Sequence, residues 1–324
     1  MILGNYTLLE KLGEGGMATV YLAMHNKLNI KVAIKLLNDE YFINKNIRHR
    51  FSSEAQSMAN MTHLGIVKVL DLIETPNNIA IVMEYVDGST LKEYIEFKGK
   101  LTDLEINDFF TQMLDAVGYV HKNNLIHRDI KPSNFMINKE GQCKLMDFGI
   151  AKNMDPNADE FIQTGTGIQM GTPMYMSPEQ ITETKSVTFQ SDIYSLGVVL
   201  WQMVTGKKPY DIKTLSNFQL QSKIVHEPLP FTNTKWDNII QKATTKNLDS
   251  RFQNCIDFMS ILIFEVNHMS NGRQKNDSSD ITVIQTGGST PIEPPKPEFE
   301  SAPAVLAALG VIIILYLLFS SIKQ

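Results

Sequence analysis

The sequence predicts an α+β chain of two unequal lobes, a small β-rich one followed by a larger, mainly helical one, with one further helix at the C-terminus. Three patterns carry this reading. Apolar residues alternate with period two chiefly before residue 86. Beyond it they recur mainly with the longer period of amphipathic helices. Ala304 to Phe319 is almost wholly apolar.

In chain order, Met1 to Tyr6 has neither the basic flank nor the long apolar run of a secretory signal, so this end is expected in the cytosol. Strands are expected at Thr19 to Ala23, Lys31 to Lys35, Val67 to Asp71 and Ile79 to Met83. A helix is expected around Phe51 to Asn60. Asp103-Leu104-Glu105 opens a longer one whose apolar face includes Ile106, Phe109, Phe110, Met113, Leu114 and Val117. Cys143 to Met146 reads as a short strand, and Ser191 to Thr205 is apolar enough for a buried helix. From His268 to Glu300 the chain collects Ser, Asn, Asp, Gly and Pro, the composition of a flexible tether. Residues 301–322 carry no charge and are long enough to cross a hydrocarbon core about 30 Å thick. With only Lys323 and Gln324 beyond them, the expected topology is a tail anchor with the folded part in the cytoplasm. No internal repeat is evident.

Composition excludes several classes. A net charge of −5 with 20% charged residues, and no run of Lys or Arg, argues against a nucleic-acid partner. Two cysteines, Cys143 and Cys255, are too few for a disulfide framework and lack zinc-site spacing, which favours a reducing compartment.

Three segments carry chemistry. Gly13-Glu14-Gly15-Gly16-Met17-Ala18-Thr19-Val20 lies between two predicted strands. Glycines there would let backbone N–H groups approach phosphates closely. It is neither a Walker loop, lacking Gly-Lys-Ser/Thr, nor a dinucleotide fingerprint, since a strand follows it. Lys35 on the next strand is a natural cation for phosphates, and Glu54 the anion to hold it. His127-Arg128-Asp129-Ile130-Lys131-Pro132-Ser133-Asn134 packs a proton acceptor, a cation and a metal-binding amide into one loop. Asp147 of Asp147-Phe148-Gly149 adds the hard carboxylate oxygen that Mg²⁺ prefers. Taken singly, a glycine-rich hairpin is commonly a turn and a strand lysine commonly faces water. Their joint order is what points to transfer of the ATP γ-phosphate.

With these residues the chain resembles the eukaryotic-type (Hanks-type) Ser/Thr protein kinases over residues 6–267, and its Gly15-Gly16-Met17-Ala18 loop is most similar to their bacterial branch. The resemblance implies the bilobal protein-kinase fold, with an N-lobe of about residues 6–86 carrying one regulatory helix and a C-lobe of 87–267. It implies that Lys35 pairs with Glu54, that Asp129 is the catalytic base, that Lys131 steadies the γ-phosphate, and that Asn134 and Asp147 hold Mg²⁺, which Mn²⁺ can replace. It implies ATP contacts from Leu12, Gly13, Glu14, Gly15, Gly16 and Val20. Ala33 and Met136 would complete the adenine sandwich, with Met83 as gatekeeper and Glu84 and Val86 on the hinge. Ser177-Pro178-Glu179 stands where Ala-Pro-Glu is usual. Asp192 would brace the catalytic loop, and Arg251 would partner Glu179. Ala18 replaces a frequent third loop glycine, adding only a methyl group.

Arg128, by resemblance, docks a phosphorylated activation loop, whose expected autophosphorylation sites are Thr164 and Thr166. Thr172 of Gly171-Thr172-Pro173 is expected to pack against Asp129 and Lys131. A pseudokinase-like ATP-binding membrane scaffold is the alternative, but it would usually lack one of Lys35, Asp129 and Asp147. The expected partners are protein substrates, the lipid bilayer through the C-terminal helix, and a transient second copy for trans-autophosphorylation.

Overall fold

The alternating segments of the first lobe form one antiparallel sheet in the order β1-β2-β3-β4-β6-β5. The strands are β1 (Ile2–Leu3), β2 (Tyr6–Glu14), β3 (Ala18–His25), β4 (Ile30–Leu37), β5 (Val69–Glu74) and β6 (Ile79–Glu84). The computed structural model describes residues 1–148, 173–211 and 214–273, and Met1–Asn276 form one compact unit. Gly149, Thr164, Thr166, Thr172, most of the expected tether and all of the expected span lie outside the described residues.

Alternation sends the two faces of this sheet to two cores. One face gathers Leu3, Tyr6, Ala23, Val32, Ile34, Ala80 and Val82. To bury it the sheet curls strongly, so that a side chain at Gly4, on the β1–β2 turn, would lie 3.9 Å from Ile73 of β5. The sheet therefore begins before Tyr6. The other face carries Leu37, Ile79 and Ile81 into a second core with Phe51, Ala55 and Met58 of α2 (Lys45–Ala59). This helix starts earlier than its apolar pattern suggests, because Asn44 Oδ1 accepts from the Asn46 and Ile47 N–H groups and caps it. A single turn, α1 (Asp39–Phe42), precedes it.

Val67 and Lys68 were expected to open β5, but the strand starts at Val69. Val67 N–H donates instead to Leu145 O (2.9 Å) in the larger lobe, and Leu145 N–H donates to Gly65 O (2.8 Å). The segment is thus a backbone weld between the lobes, a long-range pairing that periodicity cannot show.

The larger lobe opens with β7 (Gly88–Thr90), which joins β8 (Phe135–Asn138) and β9 (Cys143–Leu145) in a small sheet. Its helices are α3 (Leu91–Lys98), α4 (Asp103–Lys122), α5 (Pro178–Thr182), α6 (Phe189–Thr205), α7 (Asn217–His226), α8 (Asp237–Ala243) and α9 (Cys255–Arg273). Capping boxes at Thr90/Glu93 and Thr102/Glu105 start α3 and α4. Helix α6 is buried all round from Ser191 to Val204, the central post of the lobe. Helix α9 continues to Arg273, six residues into the stretch read as tether, since an established helix propagates past weak formers. Among the described residues no helix is long and apolar enough to cross a membrane.

Candidate active site

Strand register decides which side chains share the cleft. Val20 pairs with Lys35, Ala33 with Met83, and Lys35 with Ile81. Directly opposed residues share a face, so Val20, Ala33, Lys35 and Met83 all point to the side on which α2 packs. Met136, expected to complete the adenine sandwich, comes from β8 of the larger lobe, paired with Thr90 and Lys144.

Lys35 Nζ lies 2.8 Å from Glu54 Oε1 and 2.9 Å from Asp147 Oδ1. One cation thereby joins β4, α2 and the segment after β9. Burial alone would lower the lysine's proton affinity, but Asp147 and Glu54 outweigh it and hold the ammonium well above its ordinary value. Lys35 is charged throughout the physiological range.

The loop from His127 to Asn134 is held by its backbone. Asp192 of α6, 1% exposed, accepts from His127 N–H and Arg128 N–H, each at 2.8 Å. Gln180 Nε2 donates to Arg128 O (3.0 Å), so both backbone polar groups of Arg128 are bound. They hold it at φ +63°, a region that a residue of this type rarely adopts. Asp147 sits at φ +54°, which its short polar side chain tolerates better.

His127 locks this loop to the segment bearing Asp147. Its Nδ1 accepts from Asp129 N–H (3.3 Å) and its Nε2 lies 3.2 Å from Met146 O, so the ring must be the neutral Nε2–H tautomer. Complete burial lowers its proton affinity and favours that state. The ring also packs 4.9 Å from that of Phe148.

Within the loop, Asp129 Oδ2 accepts from Lys131 Nζ (2.7 Å) and Asn134 Nδ2 (3.1 Å). Asn134 Nδ2 also donates to Asp129 O (2.7 Å), which orients the amide and leaves its oxygen for another donor or a cation. An amide oxygen and a carboxylate are hard ligands suited to Mg²⁺. Among the described residues no group of three His, Cys, Asp or Glu gathers for a metal.

The glycine-rich turn closes through Gly15 N–H to Ala18 O (2.8 Å). None of its glycines has positive φ, and a side chain on Gly13 would meet nothing within 4 Å. The glycine there serves open space rather than a backbone need, as close approach of a phosphate would require. Leu12 is exposed beside it, and Glu14 turns its carboxylate to Lys11, leaving only its backbone for the cleft. On the hinge, the Glu84 carboxylate accepts from Lys144 Nζ (2.8 Å) and Lys68 N–H (2.9 Å), an interlobe tie absent from any motif. Val86 packs against the core that runs through both lobes.

Farther down, Arg251 grips Glu179 in a two-pronged, buried pair at 2.7 and 2.9 Å. The motifs thus locate Lys35, Glu54, Asp129, Lys131, Asn134, Asp147, Glu179, Asp192 and Arg251 as groups that the fold brings together. They miss the roles of His127, Lys144 and Gln180, which depend on contacts between distant segments. Thr164, Thr166 and Thr172 lie outside the described residues.

A family model of the protein kinase domain matches residues 6–269. The chain is 39% identical over 261 residues to a probable serine/threonine-protein kinase, CPE1738, of Clostridium perfringens, covering 78% of this chain and 37% of that one. It is 38% identical to serine/threonine-protein kinase PrkC of Bacillus subtilis over 79% of this chain and 40% of that one. With PknB of Mycobacterium tuberculosis it shares 35% identity over 80% of this chain and 42% of the relative. The chain spans about two fifths of the length of these curated relatives. With the cation of Lys35 between Glu54 and Asp147, the braced Asp129 loop and this match in hand, the chain belongs to the protein kinase domain family.

Proposed function

We propose that this chain is a Ser/Thr protein kinase that transfers the γ-phosphate of ATP to protein hydroxyls, including its own Thr164 and Thr166. The observation that carries the reading is the three-way junction of Lys35 with Glu54 and Asp147, set opposite the Asp129–Lys131–Asn134 cluster. The first group positions phosphates and the second handles the hydroxyl.

Lys35, kept charged by its two carboxylates, meets the phosphates nearest the adenine. Val20, Ala33 and Met136 enclose the ring, and the Glu84 and Val86 backbones read its edge. Asn134 and Asp147 would hold Mg²⁺, which neutralises phosphate charge when bound. Asp129 accepts the substrate hydroxyl proton as the oxygen attacks phosphorus. Lys131, now on Asp129, moves its donor to the γ-phosphate when substrate enters, and withdrawal of that cation makes the Asp129 carboxylate a stronger base.

Arg128 receives a phosphorylated Thr164 or Thr166 and orders the segment that carries them. Residues 301–322 form the membrane anchor, and confinement near one bilayer raises the rate at which one copy phosphorylates another. These proposals draw on sequence chemistry and on the membership of the family.

The test is mass spectrometry of the full chain in detergent after incubation with Mg-ATP, beside Asp129→Asn. Phosphate in the parent alone is the expected result, with sites at Thr164 and Thr166. Equal phosphate in both proteins, or in neither while ATP still binds, overturns the reading. Deleting residues 301–324 should lower autophosphorylation in cells, and an unchanged level refutes the confinement argument.

A further inference from the structure

Cys255 opens α9 and is 3% exposed, with its Sγ 3.8 Å from His121 Nδ1 in the last turn of α4. The opposite ring nitrogen, His121 Nε2, lies 2.9 Å from Asp192 Oδ2. The His121 ring also stacks on Phe189, centroids 4.7 Å apart. Asp192 is the carboxylate that holds the catalytic loop through the N–H groups of His127 and Arg128. A continuous chain therefore runs from a buried thiol to the backbone beside Asp129.

Proton positions along this chain follow from what each group can do. An ionised carboxylate accepts only, so His121 Nε2 must carry hydrogen. In the neutral ring, Nδ1 is then a lone pair, and Cys255 faces it. Burial, with Asp192 and Asp115 adding to it, pushes the thiol far up, so it remains an S–H donor. The same burial makes it a poor nucleophile, which sets aside a redox role. Gly118 makes the contact sterically feasible, since α4 and α9 pass so closely there that a side chain on it would lie 3.3 Å from Cys255 Cβ.

We propose that Cys255 is a positioning residue for phosphoryl transfer, its S–H group donating to His121 Nδ1 and fixing the ring in the tautomer and orientation that complete the donor set of Asp192. A ring in the other tautomer would turn a bare Nε2 lone pair toward the carboxylate, and a flipped ring would turn Cε1–H toward it. Asp192 would then keep two donors instead of three, and with its own position less fixed it would place Asp129 less sharply.

This inference rests on the kinase reading, so its test needs one readout with no catalysis in it. Full-length Cys255→Ala and Cys255→Ser are compared with the parent by hydrogen exchange of the peptide containing His127 and Arg128, and by steady-state phosphorylation of a protein substrate. Loss of one weak donor should speed exchange in that peptide and lower kcat by about three- to tenfold in Cys255→Ala, with KM for ATP within about twofold. Cys255→Ser keeps the donor and should match the parent in both. Parent-like exchange and kcat in Cys255→Ala overturn the proposal, as does a serine variant as impaired as the alanine one. A parent that transfers no phosphate sinks the kinase reading instead, while the exchange comparison still decides the role of the thiol.

Discussion

Arg251→Met should cost this protein about 4 kcal/mol at neutral pH, a large share of the 5–15 kcal/mol that typically holds a domain together. The side chains of Arg251 and Glu179 are 0% and 9% exposed, and the guanidinium makes both prongs of the pair. It also donates to Thr245 O (2.6 Å), Gln190 O (3.1 Å) and Lys246 O (3.3 Å). Methionine fills much of the volume and supplies none of these donors. Glu179 then retains the Ser191 hydroxyl at 2.6 Å as its side-chain donor, a buried charge without its paired cation. Breaking a buried pair in this way costs about 3–5 kcal/mol, and three carbonyls lose partners worth up to about 1 kcal/mol each, partly overlapping.

The dependence on pH has a definite sign. Burial acts to raise the proton affinity of Glu179, but Arg251 and Ser191 outweigh it and set the carboxyl below its ordinary value. A depressed carboxyl stabilises the fold above the ordinary carboxylate range and loses that contribution as pH falls through its folded value. In Arg251→Met the shift inverts, so protonation relieves the variant while it weakens the parent. The gap between them should therefore narrow from pH 7 to pH 4. Urea unfolding followed by the fluorescence of Trp201 and Trp236, both buried in this lobe, measures it directly. A difference below about 1 kcal/mol at pH 7, or one that does not change with pH, refutes the reasoning. The double variant Glu179→Leu, Arg251→Met should lose less than Arg251→Met alone.

Three further outcomes are expected. Gly88→Ala would drive its Cβ into Ile137 O and to 2.7 Å from Asn138 Cα, breaking the β7–β8 pairing beside Met136; a thermal melt should show a loss of several degrees and ATP titration a weaker affinity. Lys246, pulled down to about 8 by burial and then by Arg251, carries a lysine depressed on folding, so parent stability relative to Lys246→Met should rise from about pH 8 to 10.5 in urea titrations. Glu54→Gln removes one of the two charges paired with Lys35, leaving that of Asp147, and should cut kcat/KM for ATP at least tenfold while the melting temperature changes little.

Much of the candidate site was legible in the residues themselves because its groups are local: Asp129, Lys131 and Asn134 share one loop, and Asp147 follows a strand. Strand positions were legible through alternation, as at Lys31 to Lys35. Val67 was misplaced for the opposite reason, since its N–H answers to Leu145, far along the chain. The start of α2 was hidden because Asn44 caps it outside the apolar pattern.

Sequence alone determined which groups are present, their order, and the two-lobed division, because residue type sets chemistry and period sets local structure. Only the tertiary structure decided that His127 is a neutral bolt between the His127–Asn134 loop and the segment bearing Asp147, that Lys144 ties Glu84 across the lobes, and that Cys255 reaches His121. Each of these is a contact between segments far apart in the chain, specified by packing rather than by local pattern, and such contacts exist only once the cores have closed.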